Sequence, residues 1–442
     1  MNAREAALVA VNAVMIDKAY ANIAVAKMLR SATIPDKDRK LFVELTYGSI
    51  KALGTLDWFI SHYVDSIKKI DPIVLNVLRI GYYQLFFLDK IPVSAACNEA
   101  VNLTKKYSNG GAAKFVNAVM RAAVRQPEKI KYPDQETQPA RYIALKFFHP
   151  LWLVERWIKQ FGFEQTEKLC EFDNTKPELS VRVNSLTANI ADIEQKLKAQ
   201  NYQVQFSKWS PDGLLLSGIE RLDELNELQS GSVVIQDESS QLVAYVLNPQ
   251  PGEFVIDCCA APGGKTTHIA ALMKNRGRVV ACDIFQHKID MITQNVGLAG
   301  ASIVEPVLCD ARTIGEKYYR QADRVLVDAP CSGLGILRKK ADLRWKKQPD
   351  QFGELYDLQR DILNSAAQAV RIGGEMVYST CTTDTTENEA VVERFLCEHN
   401  DFELVNAGKR MPCEEKSEIM INMRPFSDQT DGFFIALLRR KS

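Results

Sequence analysis

Residues 254–267 read Phe254-Val255-Ile256-Asp257-Cys258-Cys259-Ala260-Ala261-Pro262-Gly263-Gly264-Lys265-Thr266-Thr267. The apolar run Phe254-Val255-Ile256 predicts a strand, and His268-Ile269-Ala270-Ala271-Leu272-Met273 predicts a helix behind it. A strand that ends in a glycine turn and opens a helix makes a pocket at the helix N-terminus, where free backbone N–H groups meet a ligand. Paired Gly263 and Gly264 let the backbone come close to that ligand where a side chain would block it.

Two ligand classes compete for this turn. Gly264-Lys265-Thr266 matches the end of a phosphate-cradling P-loop, but that loop needs glycine five positions before Gly264, where Cys259 stands. A nucleoside cofactor in a Rossmann-like domain fits better. The next strand-like run, Arg278-Val279-Val280-Ala281-Cys282-Asp283, ends in an acidic residue about 20 positions after the turn, the spacing of a side chain that takes ribose hydroxyls. The plain alternative is a tight turn between strand and helix with no ligand.

The alternation continues to the end of the chain. Val255–Asp257, Val279–Cys282, Val304–Leu308, Arg324–Asp328 and Glu375–Ser379 read as strands of a mainly parallel, doubly wound sheet with ligands at the strand C-termini. Asp257, Asp283, Asp310 and Asp328 fall at those ends. One such aspartate reads as a helix cap; four in succession are expected to line one site. The fourth strand runs into Asp328-Ala329-Pro330-Cys331-Ser332-Gly333, and the fifth into Ser379-Thr380-Cys381-Thr382. Fourth and fifth strands are neighbours in doubly wound sheets, so both thiols are expected at one sheet edge beside the turn.

Upstream, residues 1–130 read as an all-helical bundle. Asp71-Pro72 is an N-cap with proline in the first helical turn, and Val74, Leu78, Gly81, Leu85 and Leu88 share one helix face. Ser94 is expected to cap another helix, and Asn109-Gly110-Gly111 to break the pattern before Phe115 to Arg121. Arg39, Lys40, Lys51, Arg121 and Arg125 are left for the surface. A polar stretch from Gln126 to Pro139 predicts a linker. Two short helices from Pro150 to about Phe172 follow. Strands at Leu179–Val183, Tyr202–Phe206, Leu214–Leu216 and Gly231–Ile235, with a helix at Ile190–Leu197, then make a small α+β module that is RRM-like without the aromatic RNA-binding motifs. The expected divisions are 1–130 for the bundle, 131–145 for the linker, 146–236 for the α+β module and 237–442 for the Rossmann-like domain.

Composition limits the alternatives. The hydrophobic share of 46% and charged share of 25% place the chain among ordinary globular proteins. It contains no run of the ~20 apolar residues that cross a membrane and no signal-peptide pattern at the N-terminus, so a cytoplasmic protein is expected. The 10 cysteines include no C-x-x-C, so neither a zinc site nor a disulfide framework is predicted, and no metal. The net charge of zero hides an asymmetry: residues 1–131 hold 19 lysines and arginines against 11 acidic residues, a surplus of 8 that the rest of the chain cancels. A basic helical domain joined to an acidic one suits a nucleic-acid partner; scatter of charge over helix surfaces is the plain alternative.

Cys259-Ala260-Ala261-Pro262-Gly263-Gly264-Lys265, Asp328-Ala329-Pro330-Cys331-Ser332-Gly333 and Ser379-Thr380-Cys381 resemble the signature motifs of RNA cytosine-5 methyltransferases of the Sun (Fmu) family. Gln236-Asp237-Glu238-Ser239-Ser240-Gln241 and Asp431-Gly432-Phe433-Phe434 are similar too. Asp38-Arg39-Lys40 with Glu44-Leu45-Thr46-Tyr47-Gly48 is similar to the NusB-like RNA-binding domain of the ribosomal RNA branch. One departure stands out: where the family has Arg-Arg-His-Pro-Asp after the first cysteine motif, this chain has Arg338-Lys339-Lys340-Ala341-Asp342, which bears on the shape of the RNA-facing loop.

The resemblance implies methylation of a cytosine in small-subunit ribosomal RNA with S-adenosylmethionine as cofactor; transfer RNA is the alternative substrate, and a non-catalytic assembly factor the alternative class. A monomer is expected. The same resemblance implies Cys381 as the nucleophile that adds to carbon-6 of cytosine, Cys331 as the group that assists release, and Asp328 at the cytosine edge. DNA cytosine methyltransferases use the Pro-Cys thiol as nucleophile, so the family likeness alone carries this assignment. The turn Cys259, Ala260, Ala261, Pro262, Gly263, Gly264 and Lys265 would hold the methionine moiety. Asp283 would take the ribose, Asp310 would lie near the adenine, and Asp328 would border the cofactor as well. Cys258, Cys282, Cys309, His268 and His287 keep plain structural readings.

Overall fold

A computed structural model describes residues 1–31, 34–219, 222–413 and 416–442. The chain forms two compact units: Met1–Thr175 with Leu337–Pro349, and Lys176–Ile336 with Asp350–Ser442.

The first unit is helical. Its main helices span Ala3–Met15, Ala21–Arg30, Asp36–Lys51, Leu53–Ser61, Pro72–Phe87, Val93–Tyr107, Gly110–Arg125, Pro139–Lys146, Leu151–Phe161 and Phe163–Phe172. Asp71 caps Pro72–Phe87 as expected, its carboxylate accepting from the N–H groups of Ile73 and Val74 at 2.9 and 3.1 Å. That helix is the most buried of the unit, with Val74, Leu75, Val77, Leu78, Ile80 and Tyr82 inside the common core. Three local expectations are corrected. Pro92, not Ser94, is the N-cap of Val93–Tyr107: its backbone is extended and its carbonyl accepts from the N–H groups of Ala95 and Ala96 at 2.9 and 3.1 Å, which leaves Ser94 inside the first turn. Asn109 caps the following helix by accepting from Ala112 N–H at 2.9 Å, so Gly110 and Gly111 open that helix rather than break it. Lys51 is not a free surface cation either: its ammonium donates to the Asn174 carbonyl at 3.2 Å, and burial lowers its pKa to about 8.

The segment Leu337–Pro349 belongs to this helical unit although the chain around it belongs to the other. It is held by buried groups. The Arg344 guanidinium donates to Phe148 O at 2.8 Å, Asn174 Oδ1 at 3.2 Å and Asp173 O at 3.3 Å. Asp342 accepts from Ala21 N–H at 3.3 Å. Gly54 leaves room for the Trp345 ring: a Cβ there would stand 2.7 Å from it.

The second unit has two sheets. The smaller comprises β1 (Leu179–Val183), β2 (Gln203–Phe206), β3 (Gly213–Ser217) and β4 (Val233–Ile235), all antiparallel in the order β2-β3-β1-β4. Val181, Val183, Leu214, Leu216 and Val233 pack on Ile193 and Leu197 of the helix Ile190–Ala199. The larger sheet starts with β5 (Phe254–Asp257), β6 (Arg278–Asp283), β7 (Val304–Leu308), β8 (Ala322–Asp328) and β9 (Val370–Thr380). These five are parallel, as the alternation predicts. Then β10 (Phe402–Val405), β11 (Ile421–Met423) and β12 (Phe433–Arg440) add antiparallel pairs, giving the order β10-β12-β9-β8-β5-β6-β7 with β11 on β12.

Period-2 alternation divides each strand between two cores. Ile256, Val280, Val327 and Tyr378 face the helices Gln351–Ala369 and Glu389–Glu398 on one side. Val255, Val279, Leu326 and Val377 face Glu238–Leu247 and Gly264–Leu272 on the other. A sheet covered on both faces leaves its strand C-termini as the open edge, and the chemistry-bearing motifs stand there.

Candidate active site

Strand β5 ends at Asp257, and the chain turns through Cys259–Gly263 into the helix Gly264–Leu272. Gly263 has φ +104, a left-handed conformation that a side chain would strain. Cys259, Ala260, Ala261, Pro262, Gly264 and Lys265 line a cavity of about 180 Å³ with Asp257 and Asp328; Ile235, Gln236, Asp237 and Ser240 form its other wall.

Asp257 is fully buried, accepts from the Thr266 hydroxyl at 2.7 Å, and has Oδ1 without a hydrogen-bond partner. Burial lifts its pKa to about 7, helped by the Asp328 charge and opposed by the Thr266 bond and Lys265. Lys265 donates to Asp328 Oδ2 at 2.7 Å, and Ser379 Oγ donates to Asp328 Oδ1 at 2.8 Å. Burial disfavours the Lys265 ammonium, but the Asp328 charge outweighs it and raises the pKa. An ionised carboxylate has about four lone-pair directions, so Asp328 keeps acceptor capacity for a further donor.

Parallel pairing of β8 with β9 places Asp328 opposite Ser379. Cys331 follows the end of β8 by three residues and Cys381 follows β9 by one, so both thiols reach the same edge. Their Sγ atoms are 3.3 Å apart, and both are half-buried. The Cys331 thiol lies well above its ordinary range, first because of its hydrogen bond with Cys381, then through burial and the charges of Cys381 and Glu387. Gly335 N–H donates to the Cys381 carbonyl at 3.0 Å, and Gly432 N–H to the Gly335 carbonyl at 2.8 Å. The Asp431-Gly432-Phe433-Phe434 motif thus has a local role: it fastens the two cysteine loops, while the Lys265 ammonium lies over the Phe433 ring at 5.3 Å.

Asp283 and Asp310 end β6 and the turn after β7, outside the cavity lining. Asp283 is buried, accepts from Phe285 N–H at 3.2 Å and is 3.4 Å from Lys288 Nζ. Asp310 caps the turn Ala311–Thr313 and pairs with Arg312 at 2.6 Å. Cys258 and Cys282 are buried among apolar residues, and burial raises both thiols.

A family model described as 16S rRNA methyltransferase RsmB/F matches residues 244–439. The NusB family matches 1–125, and an RsmF/B-like ferredoxin-like domain matches 149–221. The "Probable ribosomal RNA small subunit methyltransferase B" of Bacillus subtilis is 38% identical over 99% of this chain and 98% of its own. The chain belongs to the ribosomal RNA small subunit methyltransferase B family. The Synechocystis protein given the same name is 35% identical over the full length of both chains, and the Serratia proteamaculans family member is 31% identical over 92% and 91%. Among solved structures, PH0851 shares 28% identity and a TM-score of 0.83 over 99% of each chain. A Pyrococcus horikoshii methyltransferase homolog shares 28% identity and a TM-score of 0.59 over 67% of this chain and 97% of its own.

In this methyltransferase B family member, the helical NusB domain, ferredoxin-like module and Rossmann-like domain are therefore all present. Sequence reasoning missed Arg182, whose place in the alternating strand Leu179–Val183 reads as solvent-facing. It is fully buried, with Nε 2.7 Å from Gln236 Oε1 and a terminal nitrogen 3.1 Å from Thr267 Oγ1 and 3.3 Å from the Gly264 carbonyl. It thereby braces the floor of the glycine turn. Gln236 and Ser240 were visible only as part of a family-like motif, because their contact with the cavity depends on tertiary packing.

Proposed function

We propose that this protein transfers a methyl group from S-adenosylmethionine to carbon-5 of a cytosine in small-subunit ribosomal RNA, through a covalent bond between Cys381 and carbon-6. The observation that supports it most is the 3.3 Å approach of Cys331 and Cys381 beside the Asp328–Lys265 pair and the glycine-turn cavity.

The cavity suits the cofactor. It opens at a helix N-terminus with a glycine in a left-handed turn, and two carboxylates, Asp257 and Asp328, line it where a cationic sulfonium would need them. The Cys259–Lys265 turn would hold the methionine moiety, Asp283 the ribose and Asp310 the adenine side. When bound, the cofactor supplies an electrophilic methyl group. Every other requirement falls on the protein.

Carbon-5 of cytosine is a poor nucleophile until a thiolate adds to carbon-6. Cys381 forms that bond, and the carbon-5–carbon-6 electron pair moves to carbon-5. Asp328, anchored on both oxygens by Lys265 and Ser379, orients the cytosine edge. After methylation the carbon-5 proton passes to a base. Its electron pair re-forms the double bond, and the carbon-6–sulfur pair returns to Cys381 as thiolate. Cys331 suits the base role. Before addition, its bond to Cys381 and the Cys381 charge hold its proton. Once Cys381 is a neutral thioether both effects vanish and only burial and the Glu387 charge still hold the proton; it passes to solvent water, and the Cys331 thiolate then takes the carbon-5 proton.

Carbon-6 is reached only by an unstacked base, so a single-stranded or loop cytosine is the target. The proposed division is RNA grip within the helical unit, where the stretch 131–145 expected as a linker carries the helix Pro139–Lys146, then an accessory module up to residue 236 and chemistry at 237–442, in a monomeric cytoplasmic protein. Among the described residues no helix is long and apolar enough to cross a membrane. The test is incubation with labelled S-adenosylmethionine and either small-subunit ribosomal RNA or transfer RNA, then nucleoside digestion. Label in 5-methylcytosine from ribosomal RNA is expected. Label only from transfer RNA would move the substrate, and no label from either would leave the assembly-factor alternative.

A further inference from the structure

Two fully buried polar residues outside the cofactor cavity, Gln359 and Glu387, touch both sides of Cys331. Glu387 Oε2 accepts from the Ser332 N–H at 2.8 Å and from Gln359 Nε2 at 2.9 Å. The same Gln359 amide donates to the Pro330 carbonyl at 2.9 Å. The peptide groups before and after Cys331 are thus held by one carboxylate–amide pair. The Glu387 carbonyl and the Asn388 side chain hold the other loop. That carbonyl accepts from the Tyr378 hydroxyl at 2.6 Å, and Asn388 donates to the Thr382 carbonyl at 3.0 Å and accepts from Thr380 Oγ1 at 2.5 Å. Ser332 Oγ and Thr382 Oγ1, 2.8 Å apart, join the loops directly.

We propose that Glu387 and Gln359 are positioning residues for Cys331, a buried bracket that fixes its thiol against Cys381 for release of the methylated base. The inference rests on the roles proposed above for the two cysteines. A carboxylate is an expensive means of satisfying one backbone N–H in a dry site, and burial raises the Glu387 pKa. A fold-only contact could use a neutral side chain. A charge beside Cys331 has a further effect: it strengthens that sulfur as a base for the carbon-5 proton. Cys381 directly follows β9, whose pairing with β8 and β12 does not use the Glu387 or Gln359 side chains, so truncating those side chains disturbs Cys331 first. Misplacement of a reacting group by about 1 Å costs on the order of 100-fold in rate.

The test uses full-length wild type, Cys331→Ala, Glu387→Ala, Glu387→Gln and Gln359→Ala in single turnover with small-subunit ribosomal RNA transcript and labelled S-adenosylmethionine. Covalent protein–RNA adduct is read on a denaturing gel, released 5-methylcytosine by nucleoside analysis, and folding by thermal melting. Glu387→Ala and Gln359→Ala should trap about 10-fold more methylated adduct than wild type, as Cys331→Ala does, because base-assisted release is what they lose. Glu387→Gln should fall between, since its remaining oxygen still accepts from Ser332. If Glu387→Ala does not fold, Glu387→Gln and Gln359→Ala decide. Trapping by Cys331→Ala with wild-type release, or with parallel loss of adduct and product, in the bracket variants would overturn the bracket alone. No trapping by Cys331→Ala would overturn the cysteine roles and the bracket with them.

Discussion

Burial at the end of β5 gives Asp257 a carboxyl group that titrates near 7, where an unfolded aspartate titrates near ~3.9. The folded value is raised, so the native state binds the extra proton between those limits. This group's contribution to stability is therefore fully present below about pH 4 and is lost as pH rises towards 7, by at most about 4 kcal/mol. Asp257→Asn should flatten that part of the curve; denaturant melts at pH 5 and pH 8 that lose equal stability in both proteins would contradict it. Lys265 is a second residue-scale case. In sequence it imitates a P-loop lysine, and only the structure pairs its ammonium with Asp328 at 2.7 Å. Lys265→Met should lower methylation about 100-fold while leaving the fold melting normally, because it frees the carboxylate that orients the base. Arg182 was illegible for a related reason. Alternation marks which face a side chain takes, not whether something packs on that face.

At the scale of elements, the glycines between the cysteine loops matter more than any single helix. A Cβ on Gly335 would stand 2.0 Å from the Gly432 carbonyl oxygen and 2.9 Å from that of Cys381. Gly335→Ala should therefore displace the Cys381 loop and lower methyl transfer about 100-fold, with S-adenosylmethionine affinity changed little. Equal activity in this variant would show that the close approach is dispensable. The five parallel strands were readable because each has an apolar stretch that ends at, or within two residues of, a polar side chain. The antiparallel strands were not. Phe402–Val405 and Ile421–Met423 are only four and three residues long, and what makes them strands is pairing with Phe433–Arg440 across a long separation. Pro92 was likewise overlooked as a cap, since Ser94 offers a hydroxyl but lies inside the first turn.

For the molecule as a whole, the membership of Leu337–Pro349 in the helical unit was invisible in the sequence. Its anchors are long-range: Arg344 reaches Phe148, Asp173 and Asn174, none of which any local pattern connects to it. Ala341, where the chain departs from the family's proline, is buried there as well. Arg344→Met should destabilise the helical unit by about 2–3 kcal/mol, because buried carbonyls lose their donors; an unchanged thermal melt would contradict that. The basic surplus of this region was legible from composition, and it suggests a test that leaves the segment's packing intact. Arg121 and Arg125 are exposed on the helix Gly110–Arg125. Arg121→Gln with Arg125→Gln should weaken RNA binding at low salt and reduce the slope of log affinity against log salt by about 1–2, as expected for lost phosphate contacts. An unchanged slope would place the RNA grip elsewhere.

The central claim is that Cys381 bonds the base and Cys331 releases it. The direct measurement incubates wild type, Cys331→Ala and Cys381→Ala with small-subunit ribosomal RNA transcript and labelled S-adenosylmethionine, and looks on a denaturing gel for a covalent protein–RNA band. The band should accumulate with Cys331→Ala and be absent with Cys381→Ala. The reverse pattern would exchange the two roles, and absence of both adduct and 5-methylcytosine from all three proteins would contradict the account.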